Sequence, residues 1–210
     1  RNIGIGKAAY DASDTENDNL AIGYNAMTTN TAGGTLNVAV GNYALDALTS
    51  GDQNVAVGHV ALGALNTGGE NTAVGDQAGQ ALTSGAQNTA MGTYALDHTT
   101  TADTNTAIGY ATLNVNTTGA GNVAVGANAL DANTTASQNT AVGTGALGAN
   151  TDGTYNTAVG ANALLANTTA DQNTAVGTFA LDANTTGANN TALGTSALGA
   201  NTTASNNVAI

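Results

Sequence analysis

The chain has 210 residues and a formal charge of −12, with 8% charged and 3% aromatic side chains, 28 Gly, and no Cys, Pro or Trp. The lack of Cys excludes disulfides and thiolate metal sites. Arg1 and Lys7 are the only cations, too few to neutralise the phosphates of nucleic acid or to dock on an anionic membrane.

The apolar content of 41% is largely Ala, which buries little area per residue, so a single compact core would be weak. The sequence escapes that weakness by repetition. An Asn-x-Ala-x-Gly motif, exact or nearly so, begins at Asn2, Asn19, Asn37, Asn54, Asn71, Asn88, Asn105, Asn122, Asn139, Asn156, Asn173, Asn190 and Asn207; eleven of the twelve intervals are 17 residues and one is 18. Stacked layers need to match only their neighbours. The fixed register and the absence of Pro argue against disorder.

The unit is read here in columns, counted from its Asn. Columns two to four alternate, as in Val38-Ala39-Val40 and Thr174-Ala175-Val176, which predicts a short strand. The larger side chains of column four, Val40, Val57, Val74, Val125, Val142, Val159 and Val176, are expected to form the coil core. The Ala of column three lies on the opposite face. At Ala39, Ala56, Ala73, Ala124, Ala141, Ala158 and Ala175 it is expected to pack against a neighbouring subunit. Column five, Gly41, Gly58, Gly75, Gly126, Gly143, Gly160 and Gly177 among others, marks a corner where positive φ or crowding demands Gly.

Columns eight to eleven, as at Ala129-Leu130, Ala146-Leu147 and Ala163-Leu164, are predicted to form a second short strand. Asn-Thr-Thr-Ala or Asn-Thr-Thr-Gly at columns twelve to fifteen supplies turn residues. A unit of 17 residues is too short for a βαβ crossover, and its Gly, Thr and Asn disfavour helix. The fold class that remains is all-β: a parallel β-solenoid or β-roll of about 17 residues per coil and roughly 12 coils. Coils spaced ~4.8 Å apart would make a rod of roughly 58 Å, with Asn ladders adding amide hydrogen bonds. Residues 1–210 read as one solenoid segment of twelve full repeats and the start of a thirteenth. The chain stops just before an expected Gly, so it is expected to be part of a longer fibre.

In the first unit the acidic run Asp11, Asp14, Glu16 and Asp18 offers oxygen ligands for calcium, though without an EF-hand spacing. A solvated edge is the plainer reading. In the second unit the extra residue near Gly33-Gly34-Thr35-Leu36 falls in the polar turn, where insertion costs least. Columns six and seven vary most and carry Tyr24, Tyr43, His59, Tyr94, Tyr110 and Phe179. Variable aromatic positions on a regular scaffold suit recognition of a surface; filling grooves between subunits is the competing role. His59 and His98 occupy different columns, no base accompanies the Ser and Thr hydroxyls, and no helix follows the glycines. Neither an enzyme nor a cofactor is expected. Thr ladders raise an ice- or mineral-binding alternative, weakened by the expectation that column two faces inward.

Asn206-Asn207-Val208-Ala209-Ile210, and more loosely Asn189-Asn190-Thr191-Ala192-Leu193-Gly194 and Gly121-Asn122-Val123-Ala124-Val125-Gly126, resemble the Asn-Ser-Val-Ala-Ile-Gly repeat of trimeric autotransporter adhesin heads; related repeats occur in bacteriophage tail fibres. The resemblance implies a homotrimer of parallel β-rolls, extracellular on a cell or virion surface. Such a fibre would contact a host or environmental surface of glycan or protein. The unit here is longer than that family's usual repeat, and no stalk is visible. A self-assembling filament without a receptor is the structural alternative.

Overall fold

A computed structural model describes residues 1–11, 18–30 and 33–210. The chain divides into two compact units, Arg1–Thr104 and Asn105–Ile210, and both are parallel β-solenoids with one short strand per coil, three residues long in all but the last. The first contains β1 (Ile3–Ile5), β2 (Leu20–Ile22), β3 (Val38–Val40), β4 (Val55–Val57), β5 (Thr72–Val74) and β6 (Thr89–Met91). The second contains β7 (Thr106–Ile108), β8 (Val123–Val125), β9 (Thr140–Val142), β10 (Thr157–Val159), β11 (Thr174–Val176), β12 (Thr191–Leu193) and β13 (Val208–Ala209). Within each unit, consecutive strands pair in parallel and column matches column: Ala39 faces Ala56, and Ala158 faces both Ala141 and Ala175.

The coil beginning at Asn139 illustrates the path. After β9 the chain turns at Gly143, where the Ala146 amide donates to the Gly143 carbonyl at 3.2 Å. A Cβ on Gly143, at φ +136, would stand 2.5 Å from the Gly160 carbonyl oxygen of the next coil, so the corner admits only Gly. The other predicted corner glycines, Gly41, Gly58, Gly75, Gly126, Gly160 and Gly177, share this conformation, with φ from 124° to 142°.

Columns eight to eleven are not a second strand. The Leu147 amide donates to Ala163 of the next coil at 3.0 Å, while the Asn150 amide turns back to the Leu147 carbonyl at 3.1 Å. This is a chain of turns in which Leu147 itself adopts φ 52°. Three columns per coil, seven, nine and seventeen, hold this left-handed conformation; Asn128, Leu130 and Gln138 show it at 55°, 52° and 61° in one coil. Non-Gly residues seldom adopt it. Hydrogen bonds to adjacent coils hold it here, as where the Asn128 amide donates to the Tyr110 carbonyl at 3.0 Å and the Gln138 amide to the Ala120 carbonyl at 3.0 Å.

The strand faces are the reverse of the sequence expectation. Ala39, Ala56, Ala73, Ala124, Ala141, Ala158 and Ala175 are fully buried inside the coil, so they are not a subunit-packing surface. Val40, Val57, Val74, Val125, Val142, Val159 and Val176 point outward and are half-buried or exposed; Val57, Val142 and Val159 are 36%, 37% and 36% accessible. They are not the coil core. The reason is room. Column-nine side chains such as Leu45, Leu62, Leu130 and Leu147 fill the interior together with Ala of column eight and Asn of column one. Only a methyl group fits opposite them.

The Asn ladders form as the sequence anticipates, with a further job. The Asn139 side-chain amide donates to the Gly153 carbonyl of its own coil at 2.8 Å, and its Oδ1 accepts the Asn156 backbone amide of the next coil at 2.9 Å. Asn150 donates to the same Gly153 carbonyl at 3.0 Å and to Asn133 Oδ1 at 3.1 Å. One ladder therefore closes each coil and ties it to its neighbour, leaving its buried amides satisfied. The second ladder belongs to column twelve, which holds Asn116, Asn133, Asn150, Asn167 and Asn184 in the second unit, whereas in the first Asn30 is followed by Leu48, Leu65, Leu82 and Thr99. In the insertion-bearing coil both Asn19 and Asn30 donate to Gly34 at 2.9 Å, so the extra residue lies between Asn30 and Gly34.

Candidate functional site

In the first unit the corner beside β1–β5 gathers a surface strip from columns six and seven. Lys7 Nζ sits 5.9 Å over the Tyr24 ring. Tyr24 and Tyr43 meet edge to face at 5.3 Å and 86°, and Tyr43 meets His59 at 6.3 Å and 82°. His59 Nδ1 lies 2.9 Å from Asp76 Oδ1. Five successive coils thus contribute a cation, two phenols, an imidazole and a carboxylate in a row. The backbone fixes this order, as where the Tyr43 amide donates to the Tyr24 carbonyl at 2.9 Å. Lost contact with water, then the neighbouring Tyr24, raises the Tyr43 phenol above its ordinary pKa. These groups offer edges and faces for weak contacts with a surface.

Of the remaining contact candidates, Tyr94 continues the row on the sixth coil, where it is half-buried and its amide donates to the Asp76 carbonyl at 3.1 Å. Tyr110 and Phe179, 56% and 43% accessible, lie in the second unit. Sequence reading passed over Tyr155, which is 60% accessible in column seventeen. His98 Nδ1 lies 3.6 Å from Asp97 Oδ2 on the surface. Of the acidic run, Asp14 and Glu16 fall outside the described residues; Asp18 pairs with Arg1 at 3.4 Å. Among the described residues no group of three or more His, Cys, Asp or Glu could hold a metal ion.

A larger surface is the outward strand face. In the second unit Ile108, Val142, Val159 and Leu193 of column four are 37%, 37%, 36% and 48% accessible. Thr140, Thr157, Thr174 and Thr191 of column two accompany them in register along β9–β12. In the first unit Val57 and Met91 are similarly exposed. A sheet with one face in water ordinarily turns its larger apolar groups inward and its polar groups outward. Here Ala faces in, and Val, Ile, Met and Leu face out.

Comparison with protein-family models, curated proteins and solved structures returned no match.

Proposed function

We propose that this chain is a segment of an extracellular, non-enzymatic fibre, in which three copies pack strand face to strand face and display their coil corners to a surface. The observation that carries the reading is the inverted strand: within each unit, outward-facing apolar side chains that are half-buried or exposed, on a scaffold whose own core is complete. Contiguous exposed apolar surface of this kind marks an interaction site, and identical copies with a periodic ridge are its simplest partners. The similarity of the repeat to adhesin heads and phage fibres supports the same assembly. The charge of −12 favours solubility, and stacked coils bearing a corner strip suit many weak, repeated contacts. Light scattering tests the reading. The chain should have three times its 20.2 kDa mass, and Val142→Asp with Val159→Asp should reduce it to a monomer with unchanged circular dichroism. Concentration-dependent polymers would favour a receptor-free filament instead.

One observation favours a second reading. Column-two Thr residues face outward beside column-four apolar groups, as in Thr140 with Val142 and Thr157 with Val159, giving a regular array suited to ordered water. A freezing-point hysteresis from a monomeric chain would select ice binding over assembly.

A further inference from the structure

Each unit carries a shallow notch built from the same columns, seven, ten and eleven. In the first unit it has a volume of about 620 Å³ and is lined by Val60, Gly63, Ala64, Gln77, Gln80 and Asp97, among others. In the second unit it measures about 490 Å³, with Asn128, Asp131, Gly145, Gly148, Asn162 and Leu165 in its lining. Both volumes lie in the range of small-ligand sites. The cause is local: column ten carries a side chain such as Asp46, Gln80, Leu165 or Asp182 in most coils but is Gly at Gly63 and Gly148, as it is again at Gly199, so one side chain is missing from the ridge.

Polar groups line the second notch. Asp131 Oδ1 stands 3.4 Å from where a Cβ on Gly148 would lie, and Asn162 Oδ1 stands 2.6 Å from the corresponding point on Gly145, the column-seven glycine of the same coil. Leu165 Cδ1 lies 3.3 Å from that same point on Gly148, which places an apolar wall beside the two oxygens. The buried Asn ladders have all their amides engaged. The side-chain amides of Gln80, Asn128 and Asn162, by contrast, make no hydrogen bond among the described residues.

We infer that these two notches are subsites for neutral sugar residues. Free amides both donate and accept, as hydroxyls do, and a carboxylate accepts from hydroxyls. The Val, Ala and Leu walls match the C–H face of a pyranose. Neither notch contains Lys or Arg, and His98, which also lines the first, lies 3.6 Å from the Asp97 carboxylate, which disfavours phosphate, sulfate and acidic sugars. A single carboxylate is too few oxygen ligands for calcium. Repetition of the notch within one fibre would add weak sites into useful avidity, so the inference rests on the fibre reading for its biological use, though not for its chemistry.

Methyl NMR of the full chain tests it, using galactose, glucose and N-acetylglucosamine as neutral probes and glucosamine as a cationic one. The neutral sugars should saturably shift the methyls of Val60, Ala64 and Ala81 in one notch and of Ala149, Leu165 and Ala166 in the other. Gly148→Gln, which restores a side chain that column ten accepts elsewhere, should weaken binding at the second notch at least about tenfold and leave the first unchanged. If that variant fails to fold, Asn162→Ala should give the same loss. Silence with every neutral sugar overturns the inference, as does a response to glucosamine alone or undiminished binding in the variants. Lost sugar binding with an intact trimer refutes only this inference; a monomer that still binds sugar refutes only the fibre reading.

Discussion

Replacing Ala158 with Leu probes the inversion of the strand. Ala158 is fully buried, with Ala141 and Ala175 directly above and below it. Leu adds three carbons to a site whose neighbours in the stack are only ~4.8 Å away. Overpacking of a filled core costs typically about 1–3 kcal/mol, and this site has no free side to relax into, so the expected loss is about 3 kcal/mol. For a chain of this size that lowers the melting temperature by roughly 6–12 °C. The control is Val159→Leu, one residue on and facing outward at 36% accessibility. Leu193 already occupies that column, and the change should stay within about 0.5 kcal/mol. Thermal and urea unfolding followed by circular dichroism, with mass measured in parallel, reads both. If Ala158→Leu leaves stability intact but breaks up oligomers, while Val159→Leu destabilises, the faces have been assigned backwards.

Other perturbations address the closing bonds, the backbone and the charges. Asn139→Ala should cost about 2–4 kcal/mol in the same unfolding assays, because it strips a buried partner from both Gly153 and Asn156; no measurable loss would remove the ladder as a stabilising device. Gln138→Gly, at an exposed-turn position with φ 61°, should raise stability by up to about 1 kcal/mol through relief of left-handed strain, and a loss larger than that would mean the turn needs the side chain. Burial raises the Asp131 carboxyl above its ordinary pKa, opposed in part by hydrogen bonds from its own backbone and that of Ala132. The folded state therefore holds this proton more tightly than the unfolded one, so the charge penalty is present at neutral pH and fades as pH falls through the folded value. Asp131→Asn should then stabilise the chain at neutral pH and lose that advantage in acid; a constant difference across pH would contradict the burial argument.

Much of the fold was legible in the sequence because periodicity survives any detail of packing. The motif spacing gives the coil, the obligatory Gly143 gives the corner, and Asn139 gives a ladder. The orientation of Val142 and Ala141 was not legible, because alternation reports two faces without saying which is inside. The rule that larger apolar groups go inward fails when Leu147 of another column already fills a narrow interior. The apolar run through Ala146-Leu147 points to a strand rather than a turn, since nothing in a Leu announces φ 52°. At the candidate site, the contiguity of Tyr24, Tyr43 and His59 followed from shared columns six and seven. The notches did not, because they depend on a missing side chain in column ten, visible only once the neighbouring Asp131 and Leu165 are placed around Gly148.

The chain contains no Cys, which permits the most direct test of the inverted strand and of the proposed assembly through it. Single substitutions Ala141→Cys and Val142→Cys are oxidised in solution and resolved without reductant. If the outward strand face mates with another copy as proposed, Val142→Cys should give covalent dimers, while Ala141→Cys should keep a protected, uncrosslinked thiol. Crosslinking at residue 141 with none at residue 142 would contradict it.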